Sequence, residues 1–300
     1  MRATALGILA LLFWSSTIAF SRSLVEALGI LTASSYVFLL GGSIACVYTV
    51  VAPDGLRRLA RLPAAYLIGC GGLFVAYMVS LYVAIGLAST RQQALKVGLV
   101  NYLWPGLTLA FAVPILRRRA RSLLIVGLII GFLGIFLATV QRADYSLSVL
   151  VENIEVNCHS YLLALAAAVM WALYSNLSRR WAGQAESGAV SIFLLVSGLI
   201  LTGVRTCFPE EPRWTWQSMS ELLYMAIFPG ALAYTFWDEA MRKGRIVLVA
   251  SMSYFTPLLS TIIGTAYLGV SIGWNLWAGC VLVVIGAAIC KASVEEGARE

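Results

Sequence analysis

The stretch ALKVGLVNYLWPGL, residues 94–107, gathers polar and aromatic side chains inside a long apolar run. Lys96 supplies a cation that can attract a carboxylate, although it lies only about one turn inside the run, where a lysine can also reach back to the surface. The two uses of Lys96 balance. Asn101 offers an amide, and Tyr102 and Trp104 offer π faces that suit an ammonium group or a ring. Pro105 removes the helical hydrogen bond to the carbonyl of Asn101, and Pro257 does the same for Ser253. A freed carbonyl is costly in lipid, so such a break is expected to face protein or a wet cavity. The paired breaks read as hinges or substrate contacts at mid-membrane, more than as static kinks.

More aromatics sit in the apolar runs, several of them too deep for an interfacial belt: Trp14, Tyr77, Tyr82, Trp171, Tyr174, Tyr234, Trp237 and Tyr254. Aromatic walls with a few polar groups suit an amino-acid side chain and its ammonium. Helix packing or an interfacial belt is the alternative use. Catalytic chemistry finds little support. The single histidine, His159, falls in a connecting segment, and none of the six cysteines has metal-ligand spacing. No catalytic residue, metal site or cofactor is expected, and an enzyme is disfavoured. Cys158 and Cys207 share one side of the expected topology, so their pairing stays open. Every Asp and Glu falls in a connecting segment or at the end of an apolar run. A proton relay normally needs a buried carboxylate, so uncoupled movement is expected, with Asp238 and Glu239 as the remaining candidates for coupling.

These residues must be held by membrane helices. The chain has 300 residues, 60% hydrophobic and 12% charged, with a mean hydropathy of +0.87. A soluble domain is about 25% charged. Runs near the length of a bilayer span recur throughout, and a β-barrel would alternate instead. The expected class is an all-α polytopic membrane protein. Ten spans are predicted, at 3–21, 32–52, 64–86, 92–114, 122–140, 160–178, 188–206, 222–239, 246–268 and 274–291. The net charge of +7 does not point to nucleic acid, because the basic residues sit in short connections. With the N-terminus placed in the cytoplasm, fifteen Lys and Arg fall inside, five outside, and Lys96 remains within a span. That bias predicts both termini in the cytoplasm of a multi-pass protein.

The halves resemble each other. A shift of 152 residues pairs Tyr82 with Tyr234, Tyr102 with Tyr254, Pro105 with Pro257, Gly127 with Gly279 and Gly134 with Gly286. A shift of 157 pairs Trp14 with Trp171 and Arg22 with Arg179. Residues 1–21 imitate a secretion signal, but this pairing assigns them to the fold. The predicted organisation is a first repeat at 1–140, an external connecting loop at 141–159, a second repeat at 160–292 and a cytoplasmic tail at 293–300. Five spans in each half give the halves opposite sense, which is an inverted-topology repeat and a transporter signature.

The 5+5 arrangement, the tryptophans of spans 1 and 6, the prolines of spans 4 and 9 and the G-x6-G of spans 5 and 10 resemble the drug/metabolite transporter superfamily. Within it the chain is most similar to the ten-helix EamA-type exporters that handle aromatic amino acids. The resemblance implies a basket-like bundle whose central cavity lies between spans 1–4 and 6–9, with spans 5 and 10 peripheral. It implies export across the bacterial inner membrane of amino acids, or of amphiphiles such as methyl viologen, by a protein acting as a monomer in the bilayer. Tyr102, Trp104 and Trp171 match cavity positions of those exporters, and Tyr82 matches less closely. The four-helix multidrug pumps of the superfamily carry a glutamate in span 1, where this chain reads LLFWSSTIAF. A sugar-phosphate or nucleotide-sugar carrier is a further alternative, although phosphate recognition favours several buried cations.

Overall fold

The computed structural model describes residues 2–139, 147–182, 185, 188–243, 253 and 255–294. Among the described residues the architecture is all-helical, with one isolated antiparallel bridge between Ala120 and Val294. Helices α1 (Arg2–Ser15) and α2 (Thr17–Leu28) are nearly continuous, since Ser16 between them keeps right-handed helical backbone. Gly29, at φ 88°, turns the chain into α3 (Ile30–Val51), a left-handed conformation that only glycine adopts without strain. A short α4 (Gly55–Ala60) precedes a π-helical turn, Tyr66–Cys70, that runs into α5 (Gly71–Gly86). Then come α6 (Arg91–Asn101), α7 (Trp104–Ile115), α8 (Leu123–Thr139), α9 (Leu147–Ala182) and α10 (Val190–Cys207). Helix α11 (Trp216–Met225) continues through a second π-helical segment, Ala226–Leu232, into α12 (Ala233–Lys243). Helices α13 (Thr256–Leu268) and α14 (Trp274–Ser293) complete the described chain.

Seven helical stretches among the described residues are long and apolar enough to cross a membrane: Ala3–Leu28, Ile30–Val51, Tyr66–Gly86, Arg91–Ile115, Asn157–Ala182, Val190–Cys207 and Trp274–Ser293. Leu123–Ala138 and Thr256–Leu268 are shorter apolar helices. Large side chains such as Ile125, Ile129, Leu133, Phe136, Val281 and Ile285 are exposed on the outside of the bundle. In water such a surface would aggregate, whereas in hydrocarbon it is the lipid-facing side.

One expectation is corrected. The segment expected as a loop at 141–159 is helical from Leu147 onward, because α9 runs Leu147–Ala182 without interruption. Its early residues LSVLVENIEVNCHS contain no Gly or Pro. Their polar groups stop the segment reading as a span, but they do not stop a helix. All six cysteines are free, so Cys158 and Cys207 do not pair.

Two helix crossings hold the bundle at close range. Helices α8 and α14 meet where a Cβ on Gly127 would lie 2.7 Å from the carbonyl oxygen of Gly286, and one on Gly134 would lie 2.7 Å from that of Gly279. Helices α3 and α10 meet where a Cβ on Gly42 would lie 2.5 Å from the amide nitrogen of Leu195, and one on Gly198 would lie 2.6 Å from that of Leu39. Small residues let backbones approach in this way, which is how membrane helices gain packing energy where lipid gives no hydrophobic drive. Gly279→Val is therefore expected to destabilise the protein by about 1–3 kcal/mol through overpacking. It should lower the melting temperature in detergent by several degrees. Gly72→Ala is the control: nothing lies within 4 Å of its added Cβ, and its melting point should not fall.

Candidate transport cavity

The break between α6 and α7 sits where the expected proline should place it. Asn101 ends α6, Tyr102 and Leu103 form a turn, and Pro105 occupies the first turn of α7. Pro257 takes the same place in α13. Both prolines thus sit in the first turn of a helix. Proline is tolerated there because the first-turn N–H groups have no partner within the helix.

The break opens on a cavity of about 40 Å³, which holds about three water molecules. Around it stand Trp14 from α1, Tyr77 and Tyr82 from α5, Asn101, Tyr102 and Trp104 from the break, Trp171 from α9 and Tyr234 from α12. The rings form one cluster. Trp14 lies 5.8 Å from Trp171 and 4.9 Å from Tyr234, and Trp104 lies 6.4 Å from Trp171. Tyr77 packs on Trp171 at 4.8 Å, and Phe38 meets Tyr82 edge-on at 4.7 Å. The Trp14 indole N–H donates to the carbonyl of Pro229 at 3.2 Å, so a second break, at the π-helical segment, anchors the ring.

Three lining residues carry polar atoms that find no partner within the protein: Thr17 Oγ1, Asn101 Oδ1 and Thr256 Oγ1. Buried polar groups are satisfied in the great majority of cases, and an exception asks for an explanation. Here the atoms belong to residues that line a cavity, where water or a bound molecule can satisfy them. Among its lining residues the cavity has no Asp, Glu, Lys or Arg.

The sequence profile of the EamA-like transporter family matches residues 1–140 and 159–290. This chain belongs to the EamA-like transporter family. Among curated relatives of this EamA protein, it is 29% identical to the aromatic amino acid exporter YddG of Salmonella typhimurium, over 96% of either chain. It is 28% identical to that of Escherichia coli K12 over 99% of either chain, and 30% identical to that of Ancylobacter novellus over 96% of either chain. A solved crystal structure at 27% identity superposes with a TM-score of 0.71 over 96% of both chains. The EamA chain is thus a multi-pass membrane transporter of the bacterial inner-membrane type.

Most residues singled out in the sequence meet at this cavity. Trp14, Tyr82, Asn101, Tyr102, Trp104, Trp171 and Tyr234 line it. Tyr174 and Trp237 stand behind the wall, with rings 5.2 Å from Trp171 and 5.2 Å from Trp14. Lys96 is buried at 4% exposure but is not among the lining residues. Tyr254 lies outside the described residues. Thr17, Thr256 and the Pro229–Gly230 pair were missed, and Tyr77, one of the aromatics of the apolar runs, lines the cavity without having been singled out as a site residue. A shift of 157 was the available signal for Tyr77, because it pairs Tyr77 with Tyr234 just as it pairs Trp171 with Trp14.

A polar network ties the helix ends on one side of this EamA bundle. Glu26 of α2 is gripped by Arg22 at 2.8 Å and Arg91 at 2.7 Å. Arg91 also donates to the carbonyl of Leu268, at the end of α13, at 3.0 Å. Nearby, Glu221 of α11 accepts from Ser23 at 2.9 Å and from the Tyr267 hydroxyl at 2.5 Å. Glu210 accepts from the backbone N–H groups of Leu31 and Thr32, at 2.9 and 2.7 Å, and so caps α3. The network joins residues before 92 to residues after 209. Glu26→Gln should cost about 1–3 kcal/mol by leaving two guanidinium groups poorly paired. A lower melting temperature, with Glu26→Asp intermediate, is the expected result. Equal melting of all three proteins would show that the network holds nothing.

Proposed function

We propose that this protein exports amino acids, aromatic ones above all, from the bacterial cytoplasm by alternating access. The carrying observation is the box of Trp14, Trp104, Trp171 and Tyr234 around three unpartnered polar atoms. Rings accept an aromatic side chain and the ammonium, and polar atoms accept the remaining charged groups. The curated relatives named as aromatic amino acid exporters support the same substrate class.

Alternating access fits a ten-span, 5+5 inverted repeat with both termini in the cytoplasm. The helix crossings support that arrangement. Under a shift of 152, the contact of Gly127 with Gly286 maps onto the contact of Gly279 with Gly134. Under a shift of 156, the contact of Gly42 with Leu195 maps onto that of Gly198 with Leu39. Reciprocal contacts of this kind are what a two-fold axis between equivalent halves produces. Two such halves rock about a site on the axis. The aromatic cavity is lined by residues from both halves, which supports a site of that kind.

A cavity of about 40 Å³ is smaller than an amino acid. Entry of a substrate therefore requires the rings to move apart, and exit on the networked side requires the Arg91–Leu268 contact to open. The absence of Asp and Glu among the lining residues favours movement down the substrate's own gradient. The absence of Lys and Arg there disfavours sugar phosphates and nucleotide sugars. Export of amphiphiles such as methyl viologen is the second reading, since a dication also seats on aromatic faces.

The test is uptake of labelled Phe, Trp, Thr and Glu into proteoliposomes, with and without a pH gradient. Phe and Trp should enter saturably, and collapse of the pH gradient should leave their rates unchanged. Trp171→Ala should reduce Phe uptake about tenfold, the worth of about one strong aromatic contact with the substrate ring. Failure of every amino acid to move would refute the proposal, and strict dependence on the pH gradient would refute uncoupled transport.

A further inference from the structure

The two half-helices α7 and α13 both begin at the cavity. They are 12 and 13 residues long, and the residues before them, Leu103 and Phe255, have no side chain able to cap. Neither helix receives a side-chain capping bond at its cap residue. An uncapped helix start carries free N–H groups and about half a positive charge. Proline within the first turn removes one donor from each start and leaves the others. Water or an anion normally serves such ends.

A separate observation points to a ligand at the same place. Asn101 is 4% exposed and Thr256 is 2% exposed, and both line the cavity. Asn101 Oδ1 and Thr256 Oγ1 have no partner within the protein. Thr256 is the first residue of α13, so its hydroxyl stands beside that helix start. Asn101 stands across the break from α7, and like Trp104 it lines the cavity.

We propose that the starts of α7 and α13, with the Thr256 hydroxyl, form a carboxylate subsite, through which amino acids are selected over amines that keep the ring but lack the carboxylate. The inference rests on reading this cavity as the transport site. The hydroxyl of Thr256 donates to the carboxylate, and the helix starts supply the balancing positive potential. Asn101 Oδ1 accepts from the ammonium, whose remaining charge faces the rings of Trp14, Trp104 and Trp171. The side chain then lies along the rest of the aromatic wall. No lining residue is charged, so partial charges hold a zwitterion without the full desolvation cost of a buried ion pair. This suits a carrier, which must release what it binds. Each half of the chain contributes one helix start. Rocking the halves apart separates the two, which weakens the grip as the cavity opens.

The experiment uses the full protein in proteoliposomes, with labelled L-phenylalanine as the transported probe. L-phenylalanine amide and phenethylamine, which keep the ring and the amine but lack the carboxylate, are offered as competitors. Each should compete at least tenfold less well than unlabelled phenylalanine. Thr256→Val should raise the KM for phenylalanine at least tenfold and narrow its advantage over the amide, while Thr256→Ser should restore both. The melting temperature of each variant shows whether it folds, and the competitor series needs no variant. If phenylalanine is transported but the amide competes equally, the carboxylate subsite is overturned and the transport reading stands. If phenylalanine does not move at all, the transport reading falls, and the subsite falls with it.

Discussion

Hydrocarbon gives a broken backbone nothing to bond with. This constraint organises the molecule. A helix can span the bilayer because its N–H and C=O groups serve one another, and any interruption must be repaired by protein or by water. The chain interrupts itself at Asn101–Trp104, at Thr256 and in the π-helical segment around Pro229. All three interruptions contribute residues to one cavity. That convergence separates this bundle from a set of kinked helices. The breaks share one cavity, and three of the polar atoms left without partners belong to residues that line it.

The rest of the architecture keeps those breaks in register. Glycine crossings bring α8 against α14 and α3 against α10 at backbone contact, so the helices pack without relying on large side chains. Such contacts are stiff to compression. The polar network of Glu26, Arg91 and Leu268 adds a fastening at one end. The aromatic rings then decide what fits between them, because stacked and edge-on rings give way to another ring more readily than to a polar group.

Much of this was legible in the sequence because depth in a membrane is a one-dimensional property. Apolar runs marked the seven long helical stretches, and Pro105 and Pro257 marked the starts of α7 and α13 within a residue or two. The aromatic residues deep in their runs gave most of the cavity wall. What sequence could not give was the direction each side chain faces around its helix. Lys96 looked as near to the site as Asn101, but the two are five residues apart on a helix. A 100° step per residue turns them to different faces. Tyr174 and Trp237 were expected in the wall and stand one layer back. Tyr77 stood among the same aromatics, and only its pairing with Tyr234 distinguished it. The polar run before His159 was read as loop because its composition is not that of a span. Helix formation depends on backbone freedom, and a run without Gly or Pro keeps its helix.

The central claim is that the tryptophan box receives an amino acid. The purified protein should report this through its own fluorescence, excited at the red edge where phenylalanine does not absorb. Added L-phenylalanine should change the tryptophan emission saturably, and the change should largely vanish when Trp14, Trp104 and Trp171 are each replaced by Phe in turn. An emission that stays flat as phenylalanine rises, or a saturable change untouched by all three replacements, would contradict the account.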